Sequence, residues 1–171
     1  QAAQGSGTNY AAALAWARGV RANFARDPQG GDVDQIRAVA AGVCQVAITN
    51  HYYFARLAAS ADPGDQAVVA AVGLSFPDQA GAGTHVNVSG AGVSAYAPHR
   101  DEAMALLEYL VSAEAQTMLP PGNEEYPIRA GVPIGATLEA LGTFKEEDVP
   151  LDALGRRQAE AAAVFEEAGW R

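Results

Sequence analysis

Two adjacent tyrosines, Tyr52 and Tyr53, have the side chains of this sequence best suited to binding chemistry. They follow an apolar run, residues 43–48, and precede a helix-like segment, residues 54–59, so a strand is predicted to end and a helix to begin around them. Ligand sites of open α/β sheets lie at such strand ends. A phenol has a pKa of about 10, but a hard, highly charged cation stabilises its anion. Two phenolates there would form an oxygen site suited to ferric iron.

A structural role is the alternative for this tyrosine pair. Aromatic side chains usually pack, and one ring could lie under a sheet while the other lies on its rim. The pair alone therefore leaves both roles open.

Composition restricts the classes of partner. The chain has 171 residues, 49% of them hydrophobic, which is enough for one domain with a core. Its net charge is −9, from 20 acidic and 11 basic residues, and Arg156-Arg157 is the densest basic group. No basic stripe for nucleic acid is therefore present. No membrane-spanning apolar run and no signal-peptide pattern are visible either.

The remaining reactive residues do not form an enzyme motif. Cys44 lies inside the apolar run and is predicted to be a small core residue. We expect His51 in an exposed turn, His85 on a sheet face and His99 on the surface at a helix start. Ser/His/Asp groupings, HExxH, CxxC and phosphate-binding loops are all missing, so the sequence predicts a protein that is not an enzyme.

Periodicity predicts an α/β architecture. Helical spacing is found at residues 10–25, 54–59 and 151–168, after Pro98 and after the capping residue Ser112. Another helix is predicted from Asp32, with Gln35 completing a capping box and Gly42 as the C′ glycine. Strands are predicted at residues 43–48 and 84–89, and residues 68–74 fit a strand or a short helix. Mixed helices and short apolar strands are typical of α/β domains.

Five short motifs occur in a fixed order along the chain. They are Pro28-Gln29-Gly30-Gly31-Asp32, Asn50-His51-Tyr52-Tyr53, Gly83-Thr84-His85-Val86-Asn87-Val88-Ser89-Gly90, Glu125-Tyr126-Pro127 and Gly142-Thr143-Phe144-Lys145. Together they resemble the ferric-iron-binding periplasmic proteins of bacterial ABC importers, solute-binding proteins for iron(III). The resemblance extends from about Trp16 to Trp170.

The resemblance implies a fold and an organisation. Members of that family have two α/β lobes joined by crossover strands, in a class II periplasmic-binding-protein fold like a transferrin lobe. They are much longer than this chain, which resembles a C-terminal fragment. Residues 1–87 and 137–171 would form the tyrosine-bearing lobe. Residues 88–136 would supply the crossover strand and part of the other lobe.

The resemblance also implies a site and partners. Tyr52 and Tyr53 would be phenolate ligands of Fe(III), and Asn50 would line the site of a synergistic anion such as phosphate or carbonate. Ser6-Gly7-Thr8 is similar to the family's Ser-Gly anion loop. An ABC permease would receive the iron. The location would be periplasmic, or extracellular and membrane-tethered in a Gram-positive source. Apolar surface left bare by an absent lobe would favour self-association.

Two other functions remain open at this point. The first is an anion or organic-phosphate receptor on the same fold, which would use Asn50 and backbone amides and leave the tyrosines as walls. The second is an enzyme. Analysis of bound metal separates the first from a ferric-ion protein, and a hydrolase screen tests the second.

Overall fold

Helices carry most of the regular structure of the computed structural model, which describes residues 8–170. In chain order they are α1 (Thr8–Ala22), α2 (Asp32–Ala40), α3 (His51–Ala59), α4 (Pro63–Ala71), α5 (Arg100–Leu110), α6 (Ala113–Gly122), α7 (Ala136–Ala140) and α8 (Leu151–Glu167). Within this range no two strands form a ladder, and Thr84 and Glu146 make an isolated parallel bridge. No helix of the described part is both long and apolar enough to cross a bilayer.

One compact unit contains the described parts of residues 1–29 and 145–171, together with residues 76–85. Its core forms where α1 packs on α8, and the buried side chains there are Leu14, Ala17, Val164 and Ala168. The Trp170 indole Nε1 donates a hydrogen bond to the Ala17 carbonyl over 3.0 Å. This bond satisfies the indole donor while the ring covers the end of the core.

A loop closure joins the two later segments of this unit. Thr84 N donates to Lys145 O and Glu147 N donates to Thr84 O, both over 2.8 Å. Gly83 has a φ of +107°, and a Cβ at this position would lie 2.5 Å from the Glu146 carbonyl oxygen. Both the backbone conformation and the close approach therefore require glycine.

The second compact unit contains residues 30–75 and 86–144. Its core is formed by Ile36 of α2 with Phe54 and Leu57 of α3. The partly buried residues packed against them are Val33, Tyr53, Val68, Val69, Val72, Leu74 and Leu141. α2, α3 and α4 pack on one another, α7 packs on α3, and α5 packs on α6. The helix that carries the tyrosine pair is thus anchored by its apolar face.

Most of the predicted helices are confirmed. α1, α5, α6 and α8 lie where periodicity predicts them, and the Ser112 hydroxyl accepts a hydrogen bond from Ala115 N over 3.2 Å. Gly42 has a φ of +72° just after α2, as a C′ glycine should. α3 begins at His51, so the tyrosine pair lies inside this helix and not in a turn before it. The short helix α7 was not predicted.

The predicted strands are wrong for the described residues. Of the predicted α/β class, residues 8–170 therefore show the helices but no sheet. Residues 43–48 form no ladder with any other described residue, and Val46 and Ile48 are 80% and 77% exposed. Residues 84–89 pair only at the Thr84 bridge. For residues 68–74 the short-helix alternative is confirmed at residues 68–71, which belong to α4. A strand becomes part of a sheet only when a neighbour supplies its hydrogen bonds, and within residues 8–170 Thr84 is the one residue of the predicted strands that has such a neighbour.

The predicted lobe division concerns a longer, two-lobed protein. The compact units of this chain do not test the lobes of that longer protein. The lobe assignment therefore stays a prediction, with residues 1–87 and 137–171 in one lobe and residues 88–136 in the other.

Replacing Gly83 by alanine should destabilise the first unit. We expect Gly83→Ala to lower the free energy of unfolding by about 1–3 kcal/mol, because the methyl group meets the Glu146 carbonyl and the φ is unfavourable. Gly90→Ala is the matched control, since a Cβ there has no neighbour within 4 Å. Urea unfolding of the two variants measures the difference, and equal midpoints would contradict the close approach.

Candidate metal centre

The start of α3 is held by a carboxylate from the start of α2. Asp32 Oδ1 accepts a hydrogen bond from the Asn50 backbone N over 2.8 Å and lies 3.4 Å from Asn50 Nδ2. Asn50 is extended, at φ −73° and ψ 139°, and precedes the first helical residue. This bond fixes where the chain turns into the helix that carries Tyr52 and Tyr53.

The predicted capping box of α2 is wrong by one residue, which leaves Asp32 available for this contact. Gly31 is the N-cap, and Asp34 Oδ2 accepts the Gly31 backbone N–H over 2.8 Å. Gln35 Nε2 donates to the Gly31 carbonyl over 3.4 Å. The carboxylate three residues after Gly31 therefore closes the box, and Asp32 points to Asn50 instead.

The side chains of Tyr52 and Tyr53 lie against each other at the start of α3. The ring centroids of Tyr52 and Tyr53 are 4.4 Å apart at an angle of 42°, and both residues are half-buried. The pKa of Tyr52 is raised, first by the hydrogen bond with Tyr53, then by burial, and further by the negative charges of Tyr53, Asp32 and Glu125. The Tyr52 phenol is therefore protonated at neutral pH.

A guanidinium group lies over both phenol rings. The Arg56 Cζ is 5.2 Å from the Tyr52 centroid and 5.8 Å from the Tyr53 centroid. Helical spacing explains the contact, since Arg56 follows the tyrosines by three and four residues on the same helix face. The arginine is attracted to the π-faces of the rings.

His51 closes one side of the pair. Its Nε2 donates to the Glu124 carbonyl over 3.1 Å, and its ring meets Tyr52 edge-on, with centroids 5.8 Å apart. The pKa of His51 is lowered chiefly by burial, against the opposing effects of the Glu124 bond and the Glu125 charge. His51 is half-buried, so the prediction of an exposed turn residue is wrong. With Nε2 engaged, Nδ1 is the remaining nitrogen of the neutral ring.

Tyr126 extends this aromatic group. Its ring centroid lies 5.0 Å from that of His51 and 5.6 Å from that of Phe144. Its hydroxyl is buried and has no hydrogen-bond partner among residues 8–170, and burial raises its pKa. A buried phenol of this kind is a neutral wall of the site, with one polar atom left to satisfy.

The other predicted residues have mixed outcomes. Asn50 adjoins the pair, but its side-chain nitrogen faces Asp32. His99 is exposed at the start of α5, as predicted. His85 is not on a sheet face, since its Nδ1 lies 3.2 Å from Glu147 Oε2 beside an isolated bridge. Cys44 is half-buried and outside both cores. Ser6 and Gly7 of the predicted anion loop lie outside the described residues.

Sequence reasoning missed three contributors to the site. Arg56 could have been found from its helical spacing to the tyrosines. Asp32 and Tyr126 lie in two of the five motifs, but their roles at the site could not be read from the sequence, because each is remote from α3 along the chain and meets it only in the folded unit. No group of three or more His, Cys, Asp or Glu residues that could bind a metal ion occurs in the described part of the chain. The hard donors that this site offers are the phenol oxygens.

Sequence comparison connects this geometry to known proteins. No family model matches the chain. It is 51% identical over 158 residues to Iron uptake protein A2 and 48% identical over 158 residues to Iron uptake protein A1, both of Synechocystis sp. PCC 6803. The chain is a relative of the iron uptake and ferric-binding proteins. These alignments cover 91% and 92% of the chain but only 46% and 44% of the relatives, so it spans about half their length.

Solved structures of ferric-binding proteins share its fold. The Trichodesmium protein IdiA (FutA), in complex with iron and citrate, superimposes with a TM-score of 0.90 at 47% identity, over 95% of this chain and 52% of that one. The ferric binding protein of Campylobacter jejuni gives 0.90 at 37% identity, over 99% and 52%. The resemblance predicted from the five motifs is confirmed, and the fragment prediction agrees with this coverage.

Removing the charge of Asp32 should make Tyr52 more acidic. We expect Asp32→Asn to lower the pKa of Tyr52, because a nearby negative charge disfavours the phenolate. The ultraviolet phenolate band, titrated with and without Tyr52→Phe, measures the shift. Asp101→Asn, a loss of equal charge in the first turn of α5, is the control and should leave the pKa unchanged. An unchanged pKa in Asp32→Asn as well would contradict the arrangement.

Proposed function

We propose that this chain binds ferric iron through the phenolate oxygens of Tyr52 and Tyr53, as part of an iron-uptake binding protein. The observation that carries the proposal is the pair of adjacent phenols at the start of α3, with ring centroids 4.4 Å apart. The relatives support it, since they include a Major ferric iron-binding protein of Neisseria meningitidis at 28% identity and the Trichodesmium complex with iron and citrate.

The charges around the pair favour a cation once it arrives. Asp32 and Glu125 raise the pKa of Tyr52, and the same negative charges attract a positive ion to the phenol oxygens. The ion then replaces the hydroxyl protons, while the Arg56 guanidinium stays against both rings. Binding is thus an exchange of protons for iron, with no covalent step, and it is reversible by acid.

Two phenolate oxygens fill only part of the coordination sphere of ferric iron, so other donors must complete it. We propose that an anion such as phosphate or carbonate supplies some of them. The backbone amides at the start of α3 suit an anion, as helix N-termini generally do. Asn50 would line that position, although its side-chain Nδ2 also lies 3.4 Å from Asp32 Oδ1. The citrate of the Trichodesmium complex is a precedent for an organic anion beside iron.

Delivery completes the proposed role. The chain would belong to a class II periplasmic-binding fold in which residues 1–87 and 137–171 form the tyrosine-bearing lobe and residues 88–136 contribute to the other. Closure of the two lobes on iron would present the loaded protein to an ABC permease. A Serratia marcescens relative at 27% identity is named a periplasmic Fe(3+)-binding protein, which supports a periplasmic location.

The alternatives have weaker support. A receptor for an anion or organic phosphate alone would place its ligand near the carboxylates of Asp32 and Glu125, which repel it. An enzyme has no counterpart among the relatives named here, which are iron-binding and iron-uptake proteins.

Loss of either phenol oxygen should weaken ferric iron binding. We expect the chain to develop a visible phenolate-to-iron charge-transfer band, and Tyr52→Phe or Tyr53→Phe to weaken binding by at least about tenfold each, equivalent to ~1.4 kcal/mol. Each variant keeps the ring and removes one donor. Tyr96→Phe is the control, because Tyr96 is 95% exposed and remote in sequence. Parental affinity in the double variant Tyr52→Phe/Tyr53→Phe would rule out the assigned ligands.

Both the pH and the presence of phosphate should change the affinity of the chain for ferric iron. Since the raised pKa keeps Tyr52 protonated, each loss of a phenol proton accompanies metal binding, and affinity should fall as the pH is lowered from about 8 to about 5. Iron titrations with and without phosphate test the anion, whose effect should shrink in Asn50→Ala. Asn87→Ala, a surface amide change, is the control. An iron affinity that changes with neither pH nor phosphate would contradict the proposed exchange of protons for iron.

A further inference from the structure

The chain that ends α6 has a backbone conformation that its residue type does not favour. Glu124 has a φ of +56°, in the left-handed region where a helix end usually has glycine. Glu124 N donates to Pro121 O over 3.3 Å and Glu125 N donates to Pro120 O over 3.0 Å. These two bonds form a Schellman motif with glutamate at its C′ position. Backbone strain of this kind is found at ligand sites, where the surrounding structure maintains it.

This left-handed turn places the Glu124 carbonyl against the start of α3. His51 Nε2 donates to the carbonyl over 3.1 Å, although the two residues are 73 positions apart in the sequence. The His51 ring also packs on Tyr126, with ring centroids 5.0 Å apart, and Phe144 contacts Tyr126 in turn, at 5.6 Å. The imidazole is therefore fixed by a hydrogen bond and by a ring contact, and both come from outside its own helix.

Helix geometry alone does not restrain the Tyr52 side chain. Tyr52 is the second residue of α3, so no earlier turn of this helix blocks any of its three χ1 rotamers. Consecutive residues of a helix point about 100° apart. The rings of His51 and Tyr52 nevertheless meet edge-on, with centroids 5.8 Å apart. Because the contacts with Glu124 and Tyr126 fix the imidazole, its edge can limit the orientation of the Tyr52 ring.

We propose that His51 is a positioning residue for ferric iron, which holds the Tyr52 side chain in the rotamer that binds the ion. The inference rests on the proposed function, since it treats the Tyr52 phenol as a ligand. Tyr53 and Arg56 contact the Tyr52 ring from within α3, whereas His51 transmits a restraint from the end of α6. A side chain that already has its binding conformation loses less freedom when the metal binds.

Loss of the restraint should weaken iron binding by the change in rotamer population. Without it the Tyr52 side chain distributes over as many as three χ1 wells, and the apparent affinity falls in proportion to the competent fraction. We therefore expect His51→Phe, which keeps a ring but cannot donate to the Glu124 carbonyl, to bind ferric iron about two- to threefold more weakly. His51→Gln keeps a side-chain N–H donor and should recover part of this loss. Titration with ferric nitrilotriacetate measures all three affinities.

Two spectroscopic measurements separate positioning from a general effect on stability. Three-bond NMR couplings to Cγ of Tyr52, measured without iron, should report a single χ1 rotamer in the parent and averaging over rotamers in His51→Phe. The phenolate-to-iron charge-transfer band of the loaded chain should keep its wavelength in the variant, because the bound geometry is the same. Urea unfolding checks that the variant folds. His51→Asn, whose amide is one methylene shorter than that of Gln, replaces His51→Phe if the latter does not fold.

His99→Phe is the matched control, since His99 is exposed at the start of α5, and it should leave the iron affinity unchanged. A single Tyr52 rotamer in the folded His51 variant would overturn the proposal without any use of iron. Rotamer averaging with parental iron affinity would overturn it as well, as would a His51→Gln affinity no better than that of His51→Phe. A shifted charge-transfer band would make His51 a ligand and not a positioning residue. Absence of iron binding in the parent would instead overturn the proposed function, and the inference with it.

Discussion

The hydrogen bond from Asn50 N to Asp32 is the constraint on which the site depends. One carboxylate at the start of α2 fixes the residue that opens α3, and the two helices share a core through Ile36, Phe54 and Leu57. A charged acceptor makes this bond stronger than an ordinary backbone bond. The direction of the tyrosine hydroxyls is therefore set by helix packing, and the same carboxylate places a negative charge close to Tyr52.

The site combines opposing charges around neutral phenols. Asp32 and Glu125 disfavour the phenolate at Tyr52, whereas the Arg56 guanidinium lies over both rings. His51 and Tyr126 add aromatic walls, and burial lowers the pKa of the first and raises that of the second, so both neutral forms are favoured. The proposed exchange of these protons for a hard cation agrees with this balance of charges.

The start of α3 follows directly on the apolar run of the sequence. Residues 44–49 lead to Asn50, which is held by Asp32, and the helix with the phenols follows at once. In relatives about twice as long, the corresponding fold is accompanied by further polypeptide.

Local features of this protein were determined by the sequence alone. Periodicity predicted α1 and α8, Ser112 caps α6, Gly42 ends α2, and the adjacency of Tyr52 and Tyr53 guarantees two phenols in one place. Helical spacing could also have found Arg56. The tertiary structure decided the contacts of Asp32 with Asn50 and of His51 with Glu124 and Tyr126, because they join residues remote in sequence. It also decided that residues 43–48 stay unpaired. Their alternating apolar pattern favours a strand in any context, but a sheet forms only where another segment supplies the hydrogen bonds.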